Sequence, residues 1–134
     1  MIFDSIRDSV NETTRHGVKV QTYYDEHRPA IVEVCRALAK IEDKVIRVQA
    51  CGNCIDLHVS GDRHILKAVF GAFRRLDYAP DSRPGKKPEP IFSTYFNHAH
   101  HECQFWLSFA STKCTRVKVR TETREVDVYE TVCE

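Results

Sequence analysis

The chain has 134 residues, 42% of them hydrophobic and 29% charged, with a net charge of +1 and six cysteines. That length suits one domain with a sizeable core; the composition excludes a disordered chain, and the near-neutral balance means that any electrostatic site has to be local. No apolar run approaches the roughly 18 residues of a membrane span, and the start, with Asp4 and Asp8 and no basic segment ahead of an apolar stretch, does not read as a signal peptide.

Residues 1–43 read as a mainly helical part of a single domain covering 1–134. Ile2, Ile6 and Val10 share one helical face. After Gly17, the segment Val18–Thr22 fits either a short strand or more helix. Pro29 suits the first turn of a second helix, where its missing N–H costs nothing. Ile31, Val34, Cys35, Leu38 and Ile41 then form one apolar stripe, so Cys35 is read as a core residue.

Residues 44–134 read as an α+β core. Gly52-Asn53 is a two-residue hairpin turn. Folding there pairs Ala50 with Ile55, Val48 with Leu57 and Ile46 with Val59 on an apolar face. The polar face pairs Gln49 with Asp56, Arg47 with His58, and Cys51 with Cys54. Ser60 or Asp62 caps a helix whose apolar face is Ile65, Leu66, Val69, Phe73 and Leu76, with Phe70 at its border. That helix is expected to end near Tyr78-Ala79-Pro80. Residues 80–90, with four prolines and a glycine, form an extended loop.

A second hairpin pairs Phe92 with Phe109, Thr94 with Leu107 and Phe96 with Phe105. Its other face sets Tyr95 opposite Trp106, Ser93 opposite Ser108 and Asn97 opposite Gln104, and the same register puts His98 opposite Cys103. In a third hairpin Val117 faces Glu130, Lys118 faces Tyr129, Val119 faces Val128, Arg120 faces Asp127 and Thr121 faces Val126, with Cys114 opposite Cys133 at the base. The expected fold is α+β: N-terminal helices, then hairpin–helix–hairpin–hairpin, an antiparallel sheet with helices packed on one face.

Three segments carry a resemblance: HVSGDRHILKAVFGAFRRLDY, SRPGKKPE and CTRVKVRTETREVDVYETVC. Together they resemble an uncharacterised family of small phage and prophage proteins, over about the last 80 residues. That family's pattern has glycine near Arg120. The resemblance implies a phage or mobile-element context, the cytoplasm of a bacterial host, and a protein that binds and redirects a host protein, defence machinery included. It implies no activity.

Four sets of residues are candidates for chemistry. Cys51, Cys54, His98 and Cys103 make a three-cysteine, one-histidine set suited to tetrahedral zinc. The two pairs are expected on different sheet faces, however, so no resident metal or other cofactor is expected. The C-x-x-C motif spans a strand turn rather than opening a helix, which argues against redox activity. With no export signal, the six cysteines are expected as free thiols or metal ligands in a reducing cytosol, the Cys114–Cys133 pair forming a disulfide on exposure to air. Residues 98–103 gather three imidazoles, a carboxylate and a thiol, a set able to supply a general base or metal ligands. No Ser or Cys nucleophile stands in a strained turn with oxyanion donors, so an enzyme is the lesser reading.

The last candidate is a basic surface. Between Gly61 and Pro90, Arg63, Lys67, Arg74, Arg75, Arg83, Lys86 and Lys87 face four acids, a local excess of three. Gly71 beside the stripe permits close approach. With Tyr95 and Trp106, these seven cations form the expected contact surface for a host protein. Nucleic acid is the alternative partner, and a zinc or hydrolytic module at the His/Cys-rich turns is the alternative function.

Overall fold

The computed structural model describes every residue except 1, 14–17, 52, 87–88, 122–126 and 134. Helix α1 (Ile2–Thr13) and helix α2 (Val18–Ala37) lead through a 3-10 helix (Ala39–Lys44) into β1 (Val45–Ala50) and β2 (Ile55–Gly61). Helix α3 (Arg63–Arg75) follows, then β3 (Tyr78–Pro80), β4 (Ile91–His98) and β5 (Gln104–Ser111), and finally β6 (Cys114–Thr121) and β7 (Asp127–Cys133). The fold is α+β, as its periodicity predicts. No described helix is long and apolar enough to cross a membrane.

The five-stranded sheet has the order β1-β2-β5-β4-β3. All neighbours are antiparallel except β2 and β5, which run parallel in register from Ile55↔Phe105 to Gly61↔Ser111. The sheet is therefore mixed. Alternation along its strands buries Ile55, Leu57 and Val59 with Phe105, Leu107 and Phe109, and Phe92, Thr94 and Phe96 beside them. Against this face lie Ile2, Ile6 and Val10 of α1, Ile31, Val34 and Leu38 of the second helical segment, and Leu66, Val69, Ala72 and Phe73 of α3. The ring of Phe73 stacks on Phe96 at 4.2 Å, and Phe70 meets Phe96 edge-on at 5.0 Å.

Several local expectations are corrected. Val18–Thr22 takes the helical one of its two expected forms, which places Pro29 inside α2 rather than at its start. It supplies no N–H to the carbonyl one turn back, a loss set against the burial of Ile31 and Val34 just beyond it. The first hairpin keeps its predicted register from Arg47↔His58 to Ala50↔Ile55, but a bulge between Val45 and Arg47 makes Val45 the partner of Val59. Ile46 is thereby turned outward and is 65% exposed. Cys54, expected on the polar side, is buried.

Helix α3 is capped by Asp62, whose carboxylate accepts from the N–H groups of His64 and Ile65 at 2.9 and 3.1 Å. It ends at Arg75, earlier than expected. Asp77 then takes φ 67°, a left-handed conformation that aspartate tolerates, and redirects the chain into the short edge strand β3.

The second hairpin has the predicted register throughout, Asn97↔Gln104 to Phe92↔Phe109. Beyond it, His98 pairs with Tyr78 of β3 rather than with Cys103. The third hairpin is a separate two-stranded ribbon. Its base follows the prediction, including Lys118↔Tyr129 and Val117↔Glu130. A shift between Lys118 and Arg120 then pairs Arg120 with Val128 and Thr121 with Asp127, one residue off the expected tip. Val126 lies outside the described residues. Cys114 and Cys133, the pair expected to bond on exposure to air, are joined as a disulfide, and Cys35, Cys51, Cys54 and Cys103 are free.

Candidate binding groove

Helix α3 presents its sheet-facing side through Leu66, Val69, Ala72 and Phe73, which leaves Arg63, Lys67 and Arg74 exposed on the other. The chain after β3 runs back past this helix. It is held to β4 by Asp81 N–H donating to the Tyr95 carbonyl at 2.9 Å, Ser82 N–H donating to Thr94 Oγ1 at 3.0 Å, and Asn97 Nδ2 donating to Asp81 Oδ1 at 2.8 Å. Its far end is clamped by Arg63, whose two terminal nitrogens donate to the carbonyls of Gly85 and Lys86 at 2.6 and 2.7 Å.

Between helix and loop lies a groove of about 450 Å³. Its walls carry Arg63, Lys67, Arg74 and Arg83, and its apolar lining comes from Leu66, Phe70, Pro80 and Pro84. Among the described residues no acid lines it. A Cβ built on Gly71, which also lines the groove, would meet nothing within 4 Å. The glycine therefore leaves space on the groove side without being required by backbone conformation.

The structure thus brings together four of the seven predicted cations. Lys86 contributes its carbonyl to the Arg63 clamp, Arg75 is exposed outside the groove, and Lys87 lies outside the described residues. Tyr95 and Trp106 pair at 4.4 Å as expected. They stand on the opposite face of the sheet, because they alternate with Phe96 and Phe105, which face α3. A second groove, of about 680 Å³, lies between α1 and β1 and carries Asp8, Glu42, Asp43 and Arg47. It opens beside the outward-turned Ile46, which sequence periodicity assigned to the core.

The His/Cys-rich turns do not assemble as one four-ligand site. Among the described residues, the metal-ligating atoms that cluster are those of Cys51, Cys54 and Asp56. Cys103 is fully buried beside Tyr23 and Tyr78, and burial pushes its thiol up to about 11. Tyr23 Oη accepts from Gln104 N–H at 2.8 Å, whereas the buried Tyr78 hydroxyl has no hydrogen-bond partner among the described residues, with the Cys103 thiol and the Tyr23 hydroxyl near it. The rings of His98 and His101 stack at 3.6 Å, with His27 of α2 6.4 Å from His101. Burial first, and then the neighbouring imidazoles of His98 and His27, lower the His101 pKa. Burial likewise pushes Cys35 and Cys54 up to about 12 and raises Cys51. None of these four free cysteines is poised as a thiolate near neutral pH.

Tyr23, His27 and Tyr78 were not read as part of the histidine-rich turn, because they reach it only through tertiary packing. Asp56 did carry a signal, since it sits two residues after Cys54 on the same hairpin. No family model, curated protein or solved structure matches the chain.

Proposed function

We propose that this chain is a non-enzymatic, phage-encoded accessory protein that holds an acidic segment of a host protein in the groove between α3 and residues 78–84. The observation that carries this reading is four cations set around an apolar lining with no acid among them. Such a lining accommodates aliphatic or aromatic side chains flanking a carboxylate, which Lys67, Arg74 and Arg83 would meet with charge-assisted hydrogen bonds while Arg63 holds the loop. A groove of about 450 Å³ suits a few side chains better than a track of successive phosphates. The raised thiol pKa values count against a cysteine nucleophile.

The test is fluorescence anisotropy with a labelled peptide of alternating glutamate and leucine, and with a labelled single-stranded oligonucleotide of equal charge. The expected result is saturable peptide binding that weakens as salt rises and is lost in the Lys67→Glu, Arg74→Glu double variant. Both positions are exposed, so each change should alter stability by less than about 0.5 kcal/mol. Tighter binding of the oligonucleotide, lost in the same variant, would reassign the groove to nucleic acid. Undiminished peptide binding by the variant would leave α3 as a solvated face.

A further inference from the structure

The hairpin joining β1 and β2 brings three metal-ligating groups together at its tip. The Sγ atoms of Cys51 and Cys54 and a carboxylate oxygen of Asp56 all lie within 4.8 Å of one another. Each thiol reaches a different oxygen of the same carboxylate, Cys51 Sγ to Oδ2 at 3.4 Å and Cys54 Sγ to Oδ1 at 3.3 Å. The backbone holds this arrangement before any ligand arrives: Cys51 N–H donates to the Cys54 carbonyl at 2.9 Å, and the ladder continues through Ala50↔Ile55 and Gln49↔Asp56.

We propose that Cys51, Cys54 and Asp56 form a binding site for one zinc ion. Zinc takes thiolate sulfur at about 2.3 Å and carboxylate oxygen at about 2.0 Å in a tetrahedron, which sets sulfur and oxygen about 3.5 Å apart. The two sulfur–oxygen separations, each to a different oxygen of the one carboxylate, are close to that spacing, and one ligand atom from each of the three residues lies within 4.8 Å of the other two. Two soft sulfurs and one carboxylate favour zinc over calcium or magnesium, which take oxygen alone. Cys54 is buried while Cys51 and Asp56 are partly exposed, so the site has an enclosed inner side and a more open outer one. Three protein ligands leave the fourth position to water or to a donor from a partner. His98 and Cys103 take no part, since Cys103 is enclosed beside Tyr23 and Tyr78 and His98 lies against Tyr78.

The purified full chain, reduced and stripped of metal, is titrated with cobalt(II) as a spectroscopic substitute for zinc, and then with zinc to displace it. The expected result is one cobalt per chain, with the visible absorption of a tetrahedral site and a near-ultraviolet thiolate charge-transfer band, both abolished by stoichiometric zinc. Cys51→Ser should remove much of the charge-transfer band. Asp56→Asn, which keeps the size of the side chain, should weaken binding by more than about tenfold, since even outer-shell changes cost that much. Cys103→Ser should leave the spectrum unchanged. Absence of saturable cobalt binding in the wild type would overturn the proposal and leave Asp56 as a hydrogen-bond acceptor for two thiols. So would binding that survives Asp56→Asn at full strength, or that Cys103→Ser removes.

Discussion

Leu57 and Ile46 lie on the same hairpin and were assigned to the same face by alternation, yet one is fully buried and the other 65% exposed. Truncation should separate them. Leu57→Ala should cost about 2–5 kcal/mol in denaturant unfolding, because it leaves a cavity between the sheet and its helices. Ile46→Ala should cost less than about 0.5 kcal/mol, the size of a surface effect. A large loss at Ile46 would mean that the bulge is misplaced. Gly71 offers a second residue-level test. It sits inside α3 with open space where a Cβ would be. Gly71→Ala should therefore stabilise the protein by up to about 1 kcal/mol, the usual helix-interior difference. Gly71→Gln should keep that gain but fill the groove and weaken the acidic peptide. A variant more stable than the wild type yet impaired in binding would separate the groove's role from folding.

The elements divide into a packed body and an appended ribbon. Helix α3 and the segment after β3 are tied to each other and to β4, so the cationic groove rests on a rigid support. The β6–β7 ribbon pairs with itself as a separate sheet and exposes Val117, Val119, Tyr129 and Val132. Its base is closed by the Cys114–Cys133 disulfide. A two-stranded ribbon alone is marginal in water, and a cross-link acts chiefly by limiting the opened state. Replacing both cysteines by serine should therefore speed amide hydrogen exchange in β6 and β7 while leaving protection in β2 and β5 unchanged. Equal loss of protection in β2 and β5 would show that the ribbon belongs to the cooperative core.

At the scale of the whole molecule, stability should peak near neutral pH and fall on both sides. Packing lowers the pKa of His101, with His98 and His27 close to it. The unfolded chain takes up that proton around pH 6.5 while the folded one does not, so stability drops as pH falls below about 6.5. Burial raises Cys103 to about 11 and Cys35 to about 12. The unfolded thiols lose their protons from about pH 8.5 while the folded ones keep them, so stability drops again as pH rises above that point. Melting temperatures across about pH 5 to about pH 10 would check both limbs. A flat acid limb would mean that the imidazole cluster is open to water, and a flat alkaline limb would mean the same for the thiols.

Local order was legible in the order of the residues alone. The alternation in Phe92-Ser93-Thr94-Tyr95-Phe96 against Phe105 to Phe109 sufficed for the register of the second hairpin, because each side of a strand must face one solvent. The Asp62 cap, the apolar stripe of α3 and the proline-rich loop were legible for the same reason: their causes lie within a few residues. Tertiary structure decided the rest. Nothing in the pattern of β2 says that it will run parallel beside β5, about fifty residues away, since burial on one face is compatible with many neighbours. A bulge reverses which side chains face inward without changing composition, which is why Ile46 and the tip of the ribbon were misread. The basic stripe was visible as helical spacing. Its closure into a groove depended on the Arg63 clamp to Gly85 and Lys86, a contact between segments more than twenty residues apart that periodicity does not encode.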